Sequence, residues 1–194
     1  MFYDVTIGRE YGMRRTGDWK NAGQTAESAF YDKKKLLNAA DSDDNYEEMK
    51  DFYEEKPINS YLYAIEENQE ALDLDYGISK IPFQKIRALT ALEGGVIIGR
   101  CANYIFRGKE DAVSVFIHAS EEHRIAKIAE MEHISIGNAK KRMHQVDEQR
   151  AAFHHMYTKE TWGAAKGYEL CLDSGVLGVD RCVELIIKYL EWRG

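Results

Sequence analysis

The sequence predicts an α/β fold, in which helices cover both faces of a parallel sheet. Short runs of Val and Ile, bounded by Gly or polar residues, recur along the chain. Such continuous apolar runs are typical of strands buried on both faces, as in parallel sheets. The segments between them carry apolar residues at helical spacing. Strands that alternate with helices indicate a layered arrangement of helices and sheet.

Four segments are predicted strands, namely residues 5–7, 96–98, 113–117 and 168–172. Three later segments are predicted helices, namely residues 121–131, 136–157 and 179–192. Residues 57–71 predict a separate helix, and the strongly acidic residues 41–51 predict a solvated helix start or a mobile loop. The chain of 194 residues fits one domain.

The charge balance and the apolar runs exclude several functional classes. The chain has 26 Lys and Arg against 33 Asp and Glu, a net charge of −7. Nonspecific nucleic-acid binding depends on cationic side chains, so we expect no nucleic acid polymer as partner. No apolar run approaches the roughly 20 residues of a membrane span, and the first residues lack a signal-peptide pattern. We therefore expect a cytoplasmic protein whose three cysteines are reduced and that does not associate with membranes.

The turn after the first predicted strand is a candidate phosphate-binding loop. It runs from Gly8 to Gly12, where backbone N–H groups and a helix N-terminus bind phosphates in many α/β proteins. Two glycines four residues apart are a weak signal by themselves. An ordinary turn at the end of a strand is the alternative interpretation.

Several further segments carry a resemblance to a known family. They are residues 30–33, 56–63, 96–105, 114–119 with Arg124, 146–150 with 157–158 and 162–163, and 168–174 with 177–178. In this order the set resembles the cytidylate-kinase-like family of bacterial P-loop proteins, over nearly the whole chain. The resemblance implies a three-layer α/β/α P-loop kinase-like fold as a single domain over residues 1–194. It also implies helical inserts at about residues 41–80, on the acceptor side, and about residues 133–163, as a lid.

The chain departs from the family pattern directly after Gly12. The pattern continues with a small residue, Gly-Gly-Arg-Glu-Ile and an amphipathic helix, whereas this chain continues with Met13, Arg14 and Arg15. Backbone N–H groups approach a phosphate closely where glycines leave room. We therefore expect weak or absent binding of a donor nucleotide. Residues 13–29 also lack a helical period, so we expect them to be irregular or poorly packed.

A compensated pair of frameshifts, in the gene or in its sequencing, explains the departure. Read one nucleotide later, permitted codons for residues 13–22 give Cys-Gly-Gly-Arg-Glu-Ile-Gly-Lys-Met-Leu, the family's loop and helix start. The number of residues from Gly12 to Asp32 is also the one that the family pattern gives. The nucleotide sequence tests this hypothesis, because it must contain usable codons in the shifted frame.

The resemblance also implies which residues act on the nucleotides. Phosphoryl transfer depends mainly on positioning and on cationic stabilisation, so arginines are the first candidates. The predicted nucleotide-binding residues are Gly8, Arg9, Glu10, Gly12, Asp32, Arg100, Asn103 and Arg124. Among them, Arg100 is expected to contact the acceptor nucleotide, and Asn103 stands where the family more often has Asp.

The predicted catalytic residues lie on the lid-like helix and are Arg142, Asp147 and Arg150. Asp147 and Arg150 are three residues apart and can pair on one helical face. One interpretation is a mobile lid that closes over the phosphates, and the other is a surface ion pair. Asp173, at the end of the last predicted strand, is expected to be a structural cap.

No cluster of His, Cys and carboxylate residues has metal-ligand spacing, so no metal site formed by protein ligands alone is predicted. The resemblance implies ATP with Mg²⁺ as the cofactor and a small-molecule nucleotide as the partner of a monomer or homodimer. Three functions stay open. The first is a phosphotransferase from ATP to a cytidylate-like acceptor, inactive if the loop is lost. The second is a non-catalytic nucleotide-binding or interaction protein on the same fold, and the third is a gene product without function.

Overall fold

The computed structural model describes residues 3–13, 19, 21–22, 29–41, 46–56 and 80–194. Within these residues one parallel sheet forms the centre of the molecule. Its strands are β1 (Asp4–Arg9), β2 (Ala29–Tyr31), β3 (Gly95–Ile98), β4 (Ala112–His118) and β5 (Leu170–Asp173). The strand order is β2-β3-β1-β4-β5, and every neighbouring pair is parallel. All carboxyl ends of the strands therefore meet at one edge of the sheet.

Helices cover this sheet on both faces. In chain order they are α1 (Lys33–Ala40), α2 (Tyr46–Tyr53), α3 (Lys80–Thr90), α4 (Ala102–Ile105), α5 (Glu121–Glu132), α6 (Ile136–Thr158), α7 (Ser174–Leu177) and α8 (Val179–Arg193). A 3₁₀ helix at Ala165–Gly167 precedes β5. None of the described helices is long and apolar enough to cross a membrane.

The apolar residues form a separate core on each face of the sheet. One core joins alternate β-strand residues to the stripe of α8 that contains Val179, Val183 and Ile186. The other core packs α1, α2, α3 and α4, together with the end of α6, against residues such as Ile97. The predicted α/β fold with helices on both sides of a parallel sheet is confirmed.

The predicted elements agree well with the observed ones, with small shifts at their ends. The helices predicted at residues 121–131, 136–157 and 179–192 each extend one residue further. The strand predicted from residue 168 begins at Leu170, because Tyr168 instead packs its ring against Phe116, with 4.9 Å between ring centroids. Helix α3 was not predicted, and the helix predicted at residues 57–71 lies outside the described residues.

The prediction of poor packing in residues 13–29 is wrong for the buried residues that the structure describes there. Met13, Trp19 and Ala22 all belong to the core on the α8 face, and Trp19 is fully buried. These side chains are large or apolar enough to fill space beside β1. The indole Nε1 of Trp19, however, has no hydrogen-bond partner among the residues that the structure describes. Residues 14–18, 20 and 23–28 lie outside the described residues.

Helix α6 crosses the edge where the strands end. Ser135 caps its start by accepting a hydrogen bond from the Asn138 backbone N–H at 3.3 Å. Its first half packs against α5 through Ala139 and Met143, and its last turns enter the other core through Phe153 and Tyr157. The residues between these anchors therefore lie over the carboxyl ends of the strands.

Candidate functional site

A pocket opens at the carboxyl ends of β1 and β3, under helix α6. Ligands of open α/β sheets bind at this edge. Its wall consists of Gly8, Arg9, Glu55, Ile98, Gly99, Arg100, Cys101, Ala102, Asn103, Arg150, Phe153, His154, Trp162 and Tyr168. A groove beside it, against α1, shares Arg9, Glu55, Ile98, Arg100 and Arg150 with the pocket. Three arginines and one glutamate thus stand where the two cavities meet.

The three arginines come from three different elements. Arg9 ends β1, Arg100 follows β3, and Arg150 lies on α6. The Arg150 Nη1 donates a hydrogen bond to the backbone carbonyl of Arg9 at 3.0 Å. Burial lowers the pKa of Arg150, although a guanidinium group stays charged at neutral pH. The pocket therefore concentrates positive charge that a phosphate would match.

Arg100 connects the end of β3 to the end of α2. Its Nε and Nη2 donate to the Tyr53 carbonyl at 3.0 and 2.6 Å. Tyr53 is the last residue of α2, so the guanidinium group meets the negative end of that helix. Gly99, Arg100 and Cys101 all have positive φ, at 72°, 55° and 55°, and this sharp turn directs Arg100 toward α2. The side chain is nearly buried and lies in the pocket wall.

Glu55 places a carboxylate among these arginines. Its Oε1 lies 3.3 Å from Arg100 Nη1. Burial raises the pKa of this carboxyl, whereas the charges of Arg100, Arg150 and Arg9 lower it. The effect of the arginines is larger in sum, so the pKa of Glu55 lies below its usual value. Glu55 is therefore ionised at neutral pH.

The turn after β1 is held tightly by its neighbours. Gly12 has a φ of +89°, and a Cβ there would lie 2.9 Å from the Arg124 carbonyl oxygen. The Glu10 N–H donates to the Ile117 carbonyl at 3.1 Å, and the Tyr11 N–H donates to Asp147 Oδ1 at 2.8 Å. Both of these N–H groups are thus used within the protein and do not point at a ligand.

Arg124 and Asp147 form the centre of an ion-pair network beside this turn. Arg124 Nη1 donates to Asp147 Oδ2, and Arg124 Nε lies 3.2 Å from Glu10 Oε2. Glu10 Oε2 also accepts the Ala119 N–H at 3.1 Å. Asp147 and Arg150, whose spacing allows them to pair, make their hydrogen bonds elsewhere, to Arg124 and to the Arg9 carbonyl, and the Asp147 charge still acts to raise the pKa of Arg150.

Three other predicted site residues differ in where they lie relative to the pocket and the groove. Arg142 is outside the pocket wall: its guanidinium lies 5.8 Å from the centre of the Tyr11 ring and its Nε 3.9 Å from Glu132 Oε1. Asp32 caps α1 by accepting the Lys35 N–H at 2.9 Å, and it also lines the groove. Gly8 lines the pocket, and a Cβ there would approach the Phe116 and Tyr168 rings to 3.0 and 3.1 Å.

Asn103 and His154 form a buried polar pair in the pocket wall. Asn103 Oδ1 lies 3.4 Å from His154 Nε2, and the Asn103 Nδ2 donates to the Gly167 carbonyl at 3.4 Å. On the other side of the ring, His154 Nδ1 lies 3.0 Å from Thr158 Oγ1. Burial lowers the pKa of His154. In this structure Asn103 thus hydrogen-bonds to protein groups, and its role in nucleotide binding stays a prediction.

Several residues of the pocket wall were not predicted as site residues, namely Glu55, Phe153, His154, Trp162 and Tyr168. Trp162 and Tyr168 belong to the segments that carry the resemblance, so their types were a usable signal. The sequence around Glu55 did not indicate a site residue, because it is a left-handed turn after α2, with a φ of 52° at Glu55, that brings this side chain inward. The prediction for Asp173 is confirmed, since its Oδ1 accepts the Gly175 and Val176 N–H groups at 2.9 and 3.2 Å.

The described part of the turn after β1 offers few free N–H donors to a triphosphate. Within the described ranges no group of three or more His, Cys, Asp or Glu could hold a metal ion. The Glu10 and Tyr11 N–H groups are used internally, and the Met13 side chain is buried beside Ser174. A triphosphate needs a row of free N–H donors, which this part of the turn does not offer.

The fold and the pocket define an α/β protein with an arginine-lined cavity at the carboxyl ends of a parallel sheet. The family model described as the cytidylate kinase-like family matches residues 4–176, and the chain belongs to this family. The resemblance found in the sequence is thereby confirmed. No curated protein matches the chain.

Several solved structures are similar to the chain, among them the following two. An uncharacterized protein from Eubacterium ventriosum is 24% identical, with 98% of each chain covered and a TM-score of 0.73. A gluconokinase from Sinorhizobium meliloti is 11% identical, with 98% of this chain and 92% of that chain covered and a TM-score of 0.49. The first of these similarities supports the fold.

Proposed function

We propose that the chain binds a cytidylate-like nucleoside monophosphate in the arginine-lined pocket. We further propose that it has the acceptor site of a phosphotransferase of the nucleoside monophosphate kinase type, and that it is inactive as a kinase because the altered loop does not bind ATP. Residues 1–194 act as one kinase-like domain in this proposal, with an acceptor-side insert at about 41–80 and a lid at about 133–163.

The observation that carries the proposal is the convergence of Arg9, Arg100 and Arg150 on one pocket in a chain of this family. Guanidinium groups bind phosphate through charge-assisted, often bidentate hydrogen bonds. Arg150 joins the end of β1 to α6 and Arg100 joins the end of β3 to α2, so the surrounding protein holds both groups in place. Preorganised cations are what acceptor binding and phosphoryl transfer both require.

The aromatic residues of the wall support a nucleoside as the rest of the ligand. Phe153, Trp162 and Tyr168 line the same pocket as the arginines, and Asn103 and His154 add polar groups. A base can stack on aromatic rings, and its edge can exchange hydrogen bonds with an amide and an imidazole. A ligand with one phosphate and one base matches this division of the wall.

Isothermal titration with CMP, dCMP and ATP at millimolar Mg²⁺ tests the proposal. CMP or dCMP should bind with one site per chain, and ATP should give weak or no binding. Arg150→Gln should weaken monophosphate binding by about tenfold or more, as expected for a lost charge-assisted contact. Arg181→Gln, which removes an exposed arginine of α8, is the charge-matched control and should bind as the unmodified chain does.

The same titration separates the alternatives. Binding of ATP with turnover would exclude the non-catalytic interpretation. Monophosphate binding without ATP binding favours a nucleotide-binding protein on the kinase fold, which the internal use of the Glu10 and Tyr11 N–H groups supports. No binding of CMP or dCMP at millimolar concentration would refute the proposed acceptor.

A further inference from the structure

We propose that Glu55 is an internal competitor of the acceptor phosphate, whose carboxylate lies between Arg9, Arg100 and Arg150 and leaves when the phosphate binds. This inference rests on the proposed function, because it concerns the affinity of the same site. It assigns to Glu55 a role in specificity, since the ligand must bind the arginines better than a carboxylate does.

The position of Glu55 allows it to compete with a phosphate. Glu55 lines both the pocket and the neighbouring groove, at the place where they share the three arginines. Its Oε1 lies 3.3 Å from Arg100 Nη1, and its side chain is 22% exposed. A Cβ on Gly99 would lie 3.1 Å from this oxygen, so the glycine leaves room for the carboxylate. The carboxylate is thus part of the wall of both cavities.

The backbone turns Glu55 inward. Its φ of 52° is left-handed, a conformation that is unfavourable for a non-glycine residue. The preceding residue, Glu54, instead pairs with lysines, because it lies 3.0 Å from Lys56 Nζ and 3.9 Å from Lys33 Nζ. Two adjacent glutamates therefore have different partners, and Glu55 is the one directed at the arginines.

The chemistry of a carboxylate and of a phosphate also supports competition between them. A carboxylate and a phosphate accept hydrogen bonds from a guanidinium group in the same way, so they compete for the same donors. Two of the nitrogens of Arg100 already donate to the Tyr53 carbonyl, and Nη1 is the nitrogen that Glu55 approaches. A phosphate that takes the place of Glu55 meets Nη1 without breaking the connection to α2. A dianionic phosphate gains more from this exchange than a monoanion does.

Titration of inorganic phosphate and of CMP, without ATP, into the unmodified chain and Glu55→Gln tests the inference. Gln keeps the size of the side chain and removes its charge. We expect both ligands to bind about tenfold more tightly to Glu55→Gln, because the competing charge is gone. Glu47→Gln, on an 83% exposed side chain of α2, changes the net charge equally and should leave both affinities unchanged. Equal or weaker binding by Glu55→Gln would overturn the inference.

A second variant covers a failure of Glu55→Gln to fold, which far-ultraviolet circular dichroism would reveal. Glu55→Asp keeps the charge and withdraws the carboxylate by one methylene from Arg100. It should also bind phosphate more tightly, by less than Gln would, and unchanged or weaker binding would refute the competition. If the unmodified chain binds CMP and the variants bind it equally, the proposed function stands and the role of Glu55 is refuted. If neither the unmodified chain nor any variant binds phosphate or CMP, the proposed function and the role of Glu55 are both refuted.

Discussion

Asp147, in the middle of helix α6, accepts the backbone N–H of Tyr11 at 2.8 Å. This hydrogen bond ties the turn after β1 to a helix more than 130 residues further along the chain. The second oxygen of the same carboxylate accepts from Arg124, which also pairs with Glu10. The network fixes the turn beside the pocket, and it uses an N–H group that a phosphate would otherwise require.

The first prediction concerns this carboxylate. Asp147→Ala removes one of the two carboxylates that pair with the nearly buried Arg124 cation, and it removes the acceptor of the Tyr11 N–H, so the free energy of unfolding should fall by about 2 kcal/mol. Urea unfolding followed by circular dichroism measures the change. Glu148→Ala removes an exposed carboxylate from the next position of α6 and should change stability by less than about 0.5 kcal/mol. Similar losses in both variants would show that the network contributes little.

The second prediction compares two glycines. Gly12→Ala should destabilise the protein by about 2 kcal/mol, because φ is +89° and the new Cβ would lie 2.9 Å from the Arg124 carbonyl oxygen. Gly137 lies in the first turn of α6 with no atom within 4 Å of an added Cβ. Gly137→Ala should therefore stabilise the protein by about 0.5 kcal/mol. Opposite shifts in the urea midpoint are expected, and a neutral Gly12→Ala would contradict the close approach of α5.

The third prediction concerns pH. Burial lowers the pKa of His154 in the folded protein, so the unfolded chain binds the proton more strongly. The stability that His154 contributes is therefore fully present above its unfolded pKa of about 6.5 and is lost as the pH falls below that value. His154→Gln should reduce the loss of stability between pH 7.5 and pH 5.5, as measured by urea unfolding. His133→Gln, at an exposed residue just after α5, should keep the slope of the unmodified chain.

Much of the fold follows from local patterns. The continuous apolar runs predicted β1, β3, β4 and β5 within two residues at their starts, because buried parallel strands leave little choice of residue type. The apolar stripe of α8 predicted that helix almost to its ends. The cap role of Asp173 was also predictable, since a side chain at a helix start can accept nearby N–H groups without distant partners.

The site was only partly predictable, because its contacts are distant in sequence. Arg9, Arg100 and Arg150 were named from the resemblance and do line one pocket. The ion pair of Asp147 with Arg124 was not predicted, since Arg124 belongs to α5 and no helical spacing reveals this contact. Glu55 was missed for the same reason, as its role depends on how α2 packs beside β3. The burial of Trp19 was missed because the segment has no period that marks a buried face.

Titration of ATP with millimolar Mg²⁺ tests the central claim most directly, namely that the acceptor pocket is retained while the donor loop is lost. The titration compares the unmodified chain with a companion that carries Cys-Gly-Gly-Arg-Glu-Ile-Gly-Lys-Met-Leu at residues 13–22. A double variant with Arg14→Ala and Arg15→Ala is the control, since it removes the two charges without supplying glycines. We predict binding by the companion and weak or no binding by the unmodified chain and the control. Tight ATP binding by the unmodified chain, or no binding by the companion, would contradict the account.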